Sequence, residues 1–180
     1  MKNVLIISTS LRAGSNSEIL AHEFERGAKE ANNNVEFVSL KGKNIQFCSG
    51  CLACTKNGID CYIKDDMTEL RKKVHDADVL VFATPIYYYE MSGTMKTFID
   101  RCNPLYESDY KFTEVYLIAT SAEEGEEALS RAINGLEGFV ECYPRCSLKD
   151  VIDGSGINEV NEALNFKDKM QSAYLAGKNV

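Results

Sequence analysis

The chain has 180 residues, a formal net charge of −7 at pH 7 and a pI near 5.0. Its 44% of hydrophobic and 26% of charged residues are ordinary for a globular protein, and its length allows one substantial core. The acidic balance, with no basic run longer than Arg71–Lys73, disfavours nucleic acid as a partner. No apolar run approaches the ~20 residues of a membrane span, so we expect a single domain over residues 1–180 without a membrane partner.

Short apolar runs alternate with segments of helical periodicity along the whole chain. The predicted strands are residues 2–8, 35–40, 79–84, 114–120 and a last one within 147–152. The predicted helices are residues 16–31, 66–77, 92–102, 124–139 and 157–176. Asp66 and Glu69 fit a capping box at the start of the second helix, and Pro85, which has no backbone N–H, is expected to end the third strand. Residues 41–65 are predicted to form an irregular insertion loop.

Strand–helix units with short connections predict a parallel sheet with helices on both faces, which is a three-layer α/β sandwich. Right-handed crossovers favour a five-stranded sheet of order 2-1-3-4-5. In such a sheet the direction of winding reverses between strands one and three, and ligands bind there, outside the carboxyl ends of the strands. The segments that follow strands one, three and four are therefore the candidate binding loops.

The segment after the first strand is rich in hydroxyl groups and leads directly into a helix. Free backbone N–H groups and the positive end of the helix dipole favour an anion at such a place, and an arginine can add a bidentate contact to phosphate. The candidate phosphate ligands are Ser10, Arg12, Ser15, Asn16 and Ser17. The alternative is that Ser15, Asn16 and Ser17 only cap the helix.

The segment after the third strand carries three consecutive tyrosines. Such side chains on a loop pack in a core or at a subunit interface, or they contact a planar ligand. The candidate ring contacts are Thr84, Pro85, Ile86, Tyr87, Tyr88 and Tyr89, and Thr120 and Ser121 after the fourth strand form the third side. An anion site beside an aromatic wall fits a phosphorylated planar molecule, and flavin mononucleotide (FMN) is the natural candidate.

These segments resemble the NADPH-dependent FMN reductase family of flavodoxin-like flavoproteins. Ser10–Arg12 with Ser15–Ser17 is similar to that family's phosphate loop, and Thr84–Tyr89 with Met91–Gly93 and Lys96–Arg101 resembles its flavin-ring loop and the helix that follows. The resemblance implies a flavodoxin-like fold, with NAD(P)H as co-substrate and a homodimer or homotetramer as the assembly. It implies contacts to the FMN phosphate from Ser10, Arg12, Asn16 and Ser17, and contacts to the isoalloxazine ring from Pro85–Tyr89.

Four of the seven cysteines, Cys48, Cys51, Cys54 and Cys61, lie within 14 residues in the pattern C-x2-C-x2-C-x6-C. Four thiolates suit a 4Fe-4S cluster, and zinc also accepts four, although zinc sites more often consist of two C-x2-C pairs separated by a longer span. The spacing resembles that of the iron–sulfur flavoproteins, which place a cluster near the flavin. The third alternative is a thiol-rich loop without metal that shapes the flavin pocket or a subunit contact, and the sequence leaves all three open.

The sequence contains no arrangement typical of a hydrolase and no candidate catalytic side chain, so a cofactor is expected to carry the chemistry. We expect an FMN-dependent NAD(P)H oxidoreductase that passes electrons to a quinone, a flavin or another small acceptor. The alternatives are an iron–sulfur flavoprotein that accepts electrons from ferredoxin, and a flavin-binding redox sensor with the cysteine loop as its switch. Because residues 1–3 lead directly into a strand rather than a signal peptide, we also expect a cytoplasmic protein with reduced cysteines.

Overall fold

Parallel strands form the centre of the protein in a computed structural model that describes residues 1–57, 60–125 and 127–180. The strands in these residues are β1 (Asn3–Ser8), β2 (Asn34–Ser39), β3 (Val79–Tyr87), β4 (Glu90–Met91), β5 (Glu114–Thr120) and β6 (Ser147–Gly154). Their order is β2-β1-β3-β5-β6 with every neighbour parallel, and β4 pairs antiparallel with the end of β3. The predicted order 2-1-3-4-5 is confirmed, because the short β4 lies off this path.

Helices cover both faces of this sheet. They are α1 (Asn16–Glu30), α2 (Ala53–Asn57), α3 (Met67–Asp76), α4 (Gly93–Asp100), α5 (Glu127–Glu141) and α6 (Lys167–Lys178). Leu5 and Ile7 of β1 join a buried cluster with α3, α4 and α5, whereas Val4 and Ile6 join a second cluster with α1 and α6, as the alternation of side chains along a strand requires. No helix in the described part of the chain is long and apolar enough to cross a membrane.

Pro85 does not end β3, contrary to the prediction. The strand continues past it, and Pro85 lies opposite Thr120 of β5. The carbonyl of Ala83 accepts a hydrogen bond from the N–H of Thr9 at 2.9 Å, so the backbone groups of Ala83, and of Pro85 two residues later, face the β1 side of the strand. Since β1 has already ended at Ser8, the proline nitrogen costs the sheet no hydrogen bond.

The predicted capping box of Asp66 with Glu69 is also wrong. The carboxylate of Asp66 accepts a hydrogen bond from the N–H of Asn44 at 2.7 Å and makes no capping bond. Instead, Asp65 Oδ1 accepts a hydrogen bond from the N–H of Met67 at 3.1 Å. The free N–H group at the start of α3 is therefore paired with Asp65 and not with Asp66. The Asp66 carboxylate instead accepts from the insertion loop.

Three other predicted segments differ from the structure. Residues 41–65 are not wholly irregular, because they contain α2, although residues 58 and 59 lie outside the described residues. The helix predicted over 124–139 begins at Glu127, and residue 126 is likewise outside the described residues. The helix predicted over 157–176 begins at Lys167, after an irregular segment and a short 3-10 turn at Glu162–Asn165.

Candidate functional site

Three loops meet at the carboxyl ends of β1, β3 and β5, which are adjacent in the sheet. We name them the serine loop (residues 9–15), the tyrosine hairpin (residues 85–91) and the β5 loop (residues 120–124). The N–H of Thr9 donates to the carbonyl of Ala83 at 2.9 Å, which joins the base of the serine loop to β3 just before the hairpin. At the outer edge, Tyr89 Oη donates to Glu123 Oε2 at 3.4 Å, which joins the hairpin to the β5 loop.

The serine loop places its hydroxyl groups at the N-terminus of α1. Ser10, Ser15 and Ser17 are buried, and the hydroxyl oxygens of Ser15 and Ser17 are 3.0 Å apart. Ser15 occupies the N-cap position, but its side chain makes no capping hydrogen bond. Helix capping therefore does not explain the Ser15 hydroxyl. The free backbone N–H groups at the N-terminus of a helix can bind an anion.

Asn16 differs from its neighbours in where its side chain is directed. Its Nδ2 donates to the carbonyl of Glu159 at 2.8 Å, and its Oδ1 accepts from the N–H of Ala163 at 3.1 Å. Both ends of the amide thus hold a segment that follows β6, residues 158–163, which we call the C-terminal segment. The Asn16 side chain therefore supports the serine loop through these two bonds, and its contact with a phosphate stays a prediction.

The C-terminal segment is a wall of the site that the sequence analysis missed. Arg12 Nη1 donates to the carbonyl of Asn158 at 2.8 Å, and the N–H of Asn161 donates to the carbonyl of Gly14 at 3.0 Å. A Cβ atom on Gly14 would lie 2.6 Å from Val160 Cγ1 and 2.6 Å from Asn161 Oδ1, so these two side chains pack directly against Gly14. The available signal was Asn161, whose φ of 61° is a left-handed conformation that asparagine tolerates and that interrupts a helix.

The tyrosine hairpin is a two-residue turn between β3 and β4, in which Tyr87 pairs with Glu90. Tyr88 and Tyr89 at its tip have φ values of 54° and 65°, a left-handed conformation that is rare for bulky residues and marks strained positions at functional sites. Tyr87, Tyr88 and Tyr89 are 55%, 97% and 43% exposed. The structure therefore excludes core packing for these rings and leaves a planar ligand or a subunit interface.

A buried cluster of hydroxyl groups fixes the hairpin from below. Ser92 Oγ lies 3.1 Å from Thr9 Oγ1 and accepts from Thr84 Oγ1 at 3.2 Å, and it also accepts from the N–H of Met95 at the start of α4. Thr84 is fully buried, and Pro85 and Ile86 above it are partly exposed. Thr84 therefore positions the hairpin, and the contacts available to a ligand begin at Pro85.

The β5 loop closes the third side. Thr120 and Ser121 are both 6% exposed, and Ser121 Oγ donates to the carbonyl of Glu123 at 2.8 Å. The carbonyl of Ser121 accepts from the N–H of Ile157 at 2.8 Å, which ties this loop to the start of the C-terminal region. These bonds join the β5 loop to the segment that follows β6, and the contact of Thr120 and Ser121 with a ligand stays a prediction.

The four cysteines of the cysteine loop (residues 48–61) line one small cavity of about 20 Å³, together with Arg101. Cys48 and Cys51 are exposed, whereas Cys54 and Cys61 are half-buried. Four soft thiol donors facing one space fit an iron–sulfur cluster or zinc in kind. A cavity of this volume has room for about one water molecule, so the loop is closed around that space. Among the described residues, no three His, Cys, Asp or Glu side chains lie close enough together to hold a metal ion.

Cys102, which lies outside the cysteine loop, has a different environment. Cys102, two residues after the end of α4, is 1% exposed, and burial raises the pKa of its thiol to about 12. At neutral pH this thiol stays protonated and unreactive. Cys102 is therefore a core residue.

Comparison with known proteins agrees with this architecture. An iron-sulfur flavoprotein of Archaeoglobus fulgidus is 37% identical over 107 residues, which is 58% of this chain and 46% of that protein, so the match spans less than half of that relative. An iron-sulfur flavoprotein of Methanocaldococcus jannaschii is 31% identical over 134 residues, covering 73% of this chain and 69% of that protein. Among solved structures, an NAD(P)H:quinone oxidoreductase from Methanothermobacter marburgensis has a TM-score of 0.79 at 15% identity, over 99% of this chain and 95% of that one, which shows a shared flavodoxin-like fold.

The family model described as NADPH-dependent FMN reductase matches residues 2–144. This range contains the serine loop, the cysteine loop, the tyrosine hairpin and the β5 loop. The chain therefore belongs to the NADPH-dependent FMN reductase family of oxidoreductases and is closely related to the iron-sulfur flavoproteins.

Proposed function

We propose that this protein is an FMN-dependent NAD(P)H oxidoreductase that passes electrons to a quinone, a flavin or another small acceptor. The observation that carries the proposal is the meeting of the serine loop, the tyrosine hairpin and the β5 loop at the ends of three adjacent strands. Family membership supports FMN as the cofactor.

In this proposal the serine loop binds the phosphate of FMN. The hydroxyls of Ser15 and Ser17, 3.0 Å apart, and the N–H groups at the start of α1 supply hydrogen bonds to an anion. Arg12 adds positive charge from the rim, held there by its bond to the carbonyl of Asn158. The C-terminal segment keeps these groups in place, because it contacts Arg12, Gly14 and Asn16.

The tyrosine hairpin supplies the surface for the flavin ring. Tyr89 is held between Glu123, which accepts its hydroxyl hydrogen bond, and Arg131, whose guanidinium carbon lies 5.7 Å from the ring centre. Tyr88 is 97% exposed at the tip, so its ring is free to cover a bound flavin and exclude water from it. Bound FMN supplies the redox chemistry, so that NAD(P)H, a proton and a quinone become NAD(P)⁺ and a hydroquinone with two electrons transferred. No side chain of the site has to act as an acid or base in this scheme.

An anaerobic absorbance titration tests the proposal. We expect the purified protein to show a two-banded flavin spectrum that bleaches on addition of NADPH or NADH and recovers when a quinone is added. A protein that binds FMN but neither bleaches with a nicotinamide nor turns over with any acceptor would contradict the oxidoreductase proposal.

Replacing Arg12 with glutamine is expected to weaken FMN binding about tenfold, because a charge-assisted hydrogen bond to phosphate is lost. The riboflavin affinity should be unchanged, since riboflavin lacks the phosphate. Arg26→Gln is the matched control, because Arg26 is an exposed arginine of α1 that pairs with Glu23 and Glu30 away from the loop. Fluorescence titration of the apoprotein measures the affinities of wild type and of both variants for FMN and for riboflavin. Equal losses of FMN and riboflavin affinity in Arg12→Gln would contradict the phosphate assignment.

Replacing Tyr88 with asparagine separates ligand binding from structural packing. Asparagine tolerates the left-handed conformation at the tip of a two-residue turn, so stability should be unchanged or up to about 1 kcal/mol higher. Loss of the exposed ring should weaken FMN binding several-fold. Thermal unfolding and FMN titration measure the two effects, and a loss of stability that grows on dilution would assign Tyr88 to a subunit interface instead.

A second candidate function is an iron–sulfur electron carrier that accepts electrons from ferredoxin and passes them to FMN. It is favoured by one cavity that all four cysteines of the cysteine loop line, although among the described residues no three of these thiols lie close enough together to hold a metal ion. Asn103 Nδ2 also donates to Cys54 Sγ at 3.3 Å, which fixes one of these sulfurs against the turn after α4.

Iron analysis tests this candidate. One 4Fe-4S cluster per subunit requires about four iron and four acid-labile sulfide per chain after anaerobic purification. Cys54→Ser should abolish both, whereas the control Cys142→Ser, at an exposed cysteine outside the loop, should leave them unchanged. Equal iron content in the two variants would exclude the cysteine loop as the cluster site.

A further inference from the structure

A single guanidinium group joins the two ends of the cysteine loop. Arg101, directly after α4, donates from Nη1 to the carbonyl of Gln46 at 2.7 Å, which lies just before the loop. It donates from Nη2 to the carbonyl of Ile63 at 3.4 Å, which lies just after the loop. The base of the loop is therefore closed by a residue that is distant in the sequence.

A buried carboxylate completes this closure. Asp65 Oδ2 accepts from Arg101 Nη1 at 2.7 Å and Asp65 Oδ1 accepts from Nη2 at 3.0 Å, and the side chains of Arg101 and Asp65 are 1% and 0% exposed. The same carboxylate accepts from the N–H groups of Gln46 and Met67 at 2.8 and 3.1 Å. One bidentate pair thus fixes the residues on both sides of the loop against α4.

One nitrogen of the Arg101 guanidinium takes no part in these hydrogen bonds. Arg101 Nε is buried and has no hydrogen-bond partner among the described residues. Arg101 lines the same small cavity as the four cysteines of the cysteine loop. A buried N–H without a partner, on a residue that lines the same cavity as four cysteines, can donate to a sulfur acceptor in that cavity.

We propose that Arg101 is a positioning residue of the four-cysteine site, which closes the base of the cysteine loop and presents its Nε–H to the sulfur atoms of that site. The inference rests on the second candidate function above. Hydrogen bonds to cluster sulfurs and nearby positive charge stabilise the reduced, more negative state of an iron–sulfur cluster, and they raise its reduction potential. Lysine retains the charge but cannot donate simultaneously to both loop ends and to a sulfur.

The test compares wild type with Arg101→Lys, and Arg26→Lys on the exposed face of α1 is the control. For each protein, FMN content, iron and sulfide content and the reduction potential of the cluster are measured, the last by anaerobic spectroelectrochemistry. We expect Arg101→Lys to keep its FMN and to shift the cluster potential to more negative values, with no shift in the control. An unchanged potential with unchanged iron content would overturn the inference.

A second measurement uses only the wild-type protein, so it does not require that Arg101→Lys folds. Pulsed EPR of the reduced wild-type protein, labelled with ¹⁵N-arginine, should detect a nitrogen coupled to the cluster, and absence of this coupling would also overturn the inference. Different results overturn the electron-carrier proposal and the role of Arg101. Wild-type protein without iron overturns the electron-carrier proposal together with this inference, whereas wild-type protein with a cluster but without the coupling or the shift overturns only the role of Arg101.

Discussion

Replacing Gly177 with alanine is expected to destabilise the protein by about 3 kcal/mol, because the added methyl group has no space. Gly177 of α6 lies where α6 crosses α1, and a Cβ atom there would be 2.0 Å from the carbonyl oxygen of Phe24. The reciprocal position is equally close, since a Cβ on Gly27 would be 2.1 Å from the carbonyl oxygen of Tyr174. Backbone atoms cannot rotate out of the way as a side chain can, so the two helices have to separate.

The matched control is Gly138→Ala on α5, where a Cβ atom would have no neighbour within 4 Å. That change should be neutral or stabilising by up to about 1 kcal/mol, because alanine has the higher helix propensity. Urea unfolding of both variants measures the difference. The serine loop leads into α1 and the C-terminal segment precedes α6, so separating the two helices in Gly177→Ala should also weaken FMN binding. A Gly177→Ala variant as stable as wild type would contradict the close crossing.

The strand order could be predicted because it follows from general rules. Alternating strands and helices with short connections allow few parallel arrangements, and in the favoured one β1, β3 and β5 are adjacent. The serine loop and the tyrosine segment were found for the same reason, since carboxyl ends of neighbouring parallel strands lie together. These predictions needed only local patterns and one topological rule.

The details that the sequence analysis missed depend on contacts between distant segments. Pro85 remains within β3 only because β1 ends at Ser8, which no local pattern reveals. The turn at Tyr88 and Tyr89 lacks the Asn-Gly or Asp-Gly sequence that usually marks a two-residue hairpin. The C-terminal segment leaves the predicted helical conformation because Asn16 and Gly14, about 140 residues earlier, supply its hydrogen bonds.

The Arg101–Asp65 pair was beyond the reach of sequence analysis for a related reason. Arg101 occurs in a segment of helical periodicity, and nothing local distinguishes it from an exposed arginine such as Arg26. Only the packing of α4 against the insertion loop buries both charges. Its energetic importance therefore has to be tested directly.

Replacing Asp65 with asparagine is expected to destabilise the protein by about 3 kcal/mol at pH 7, because the buried guanidinium of Arg101 loses its counter-charge. Burial acts to raise the pKa of Asp65, but the hydrogen bonds from Arg101 and from the N–H of Gln46 outweigh it and lower the pKa below its ordinary value. Stability from a carboxyl group with a lowered pKa is present above the unfolded value of about 3.9 and is lost as the pH falls through the folded value. The asparagine variant lacks this titration, so the difference in the free energy of unfolding between it and wild type should become smaller below about pH 4.

Urea unfolding at neutral and acidic pH measures this difference in the free energy of unfolding. An exposed ion pair on α4, the helix that ends directly before Arg101, supplies the comparison. Lys96 and Asp100 form an ion pair whose side chains are 59% and 45% exposed. Asp100→Asn should cost about 0.5 kcal/mol or less at pH 7, because water and salt screen an exposed pair. If Asp65→Asn costs no more than Asp100→Asn, the buried pair does not hold the loop base, and the proposed role of Arg101 at the cysteine site loses its structural foundation. If the cost is several-fold larger and narrows in acid, the charge of Asp65 is what keeps the guanidinium in position beside the cysteines.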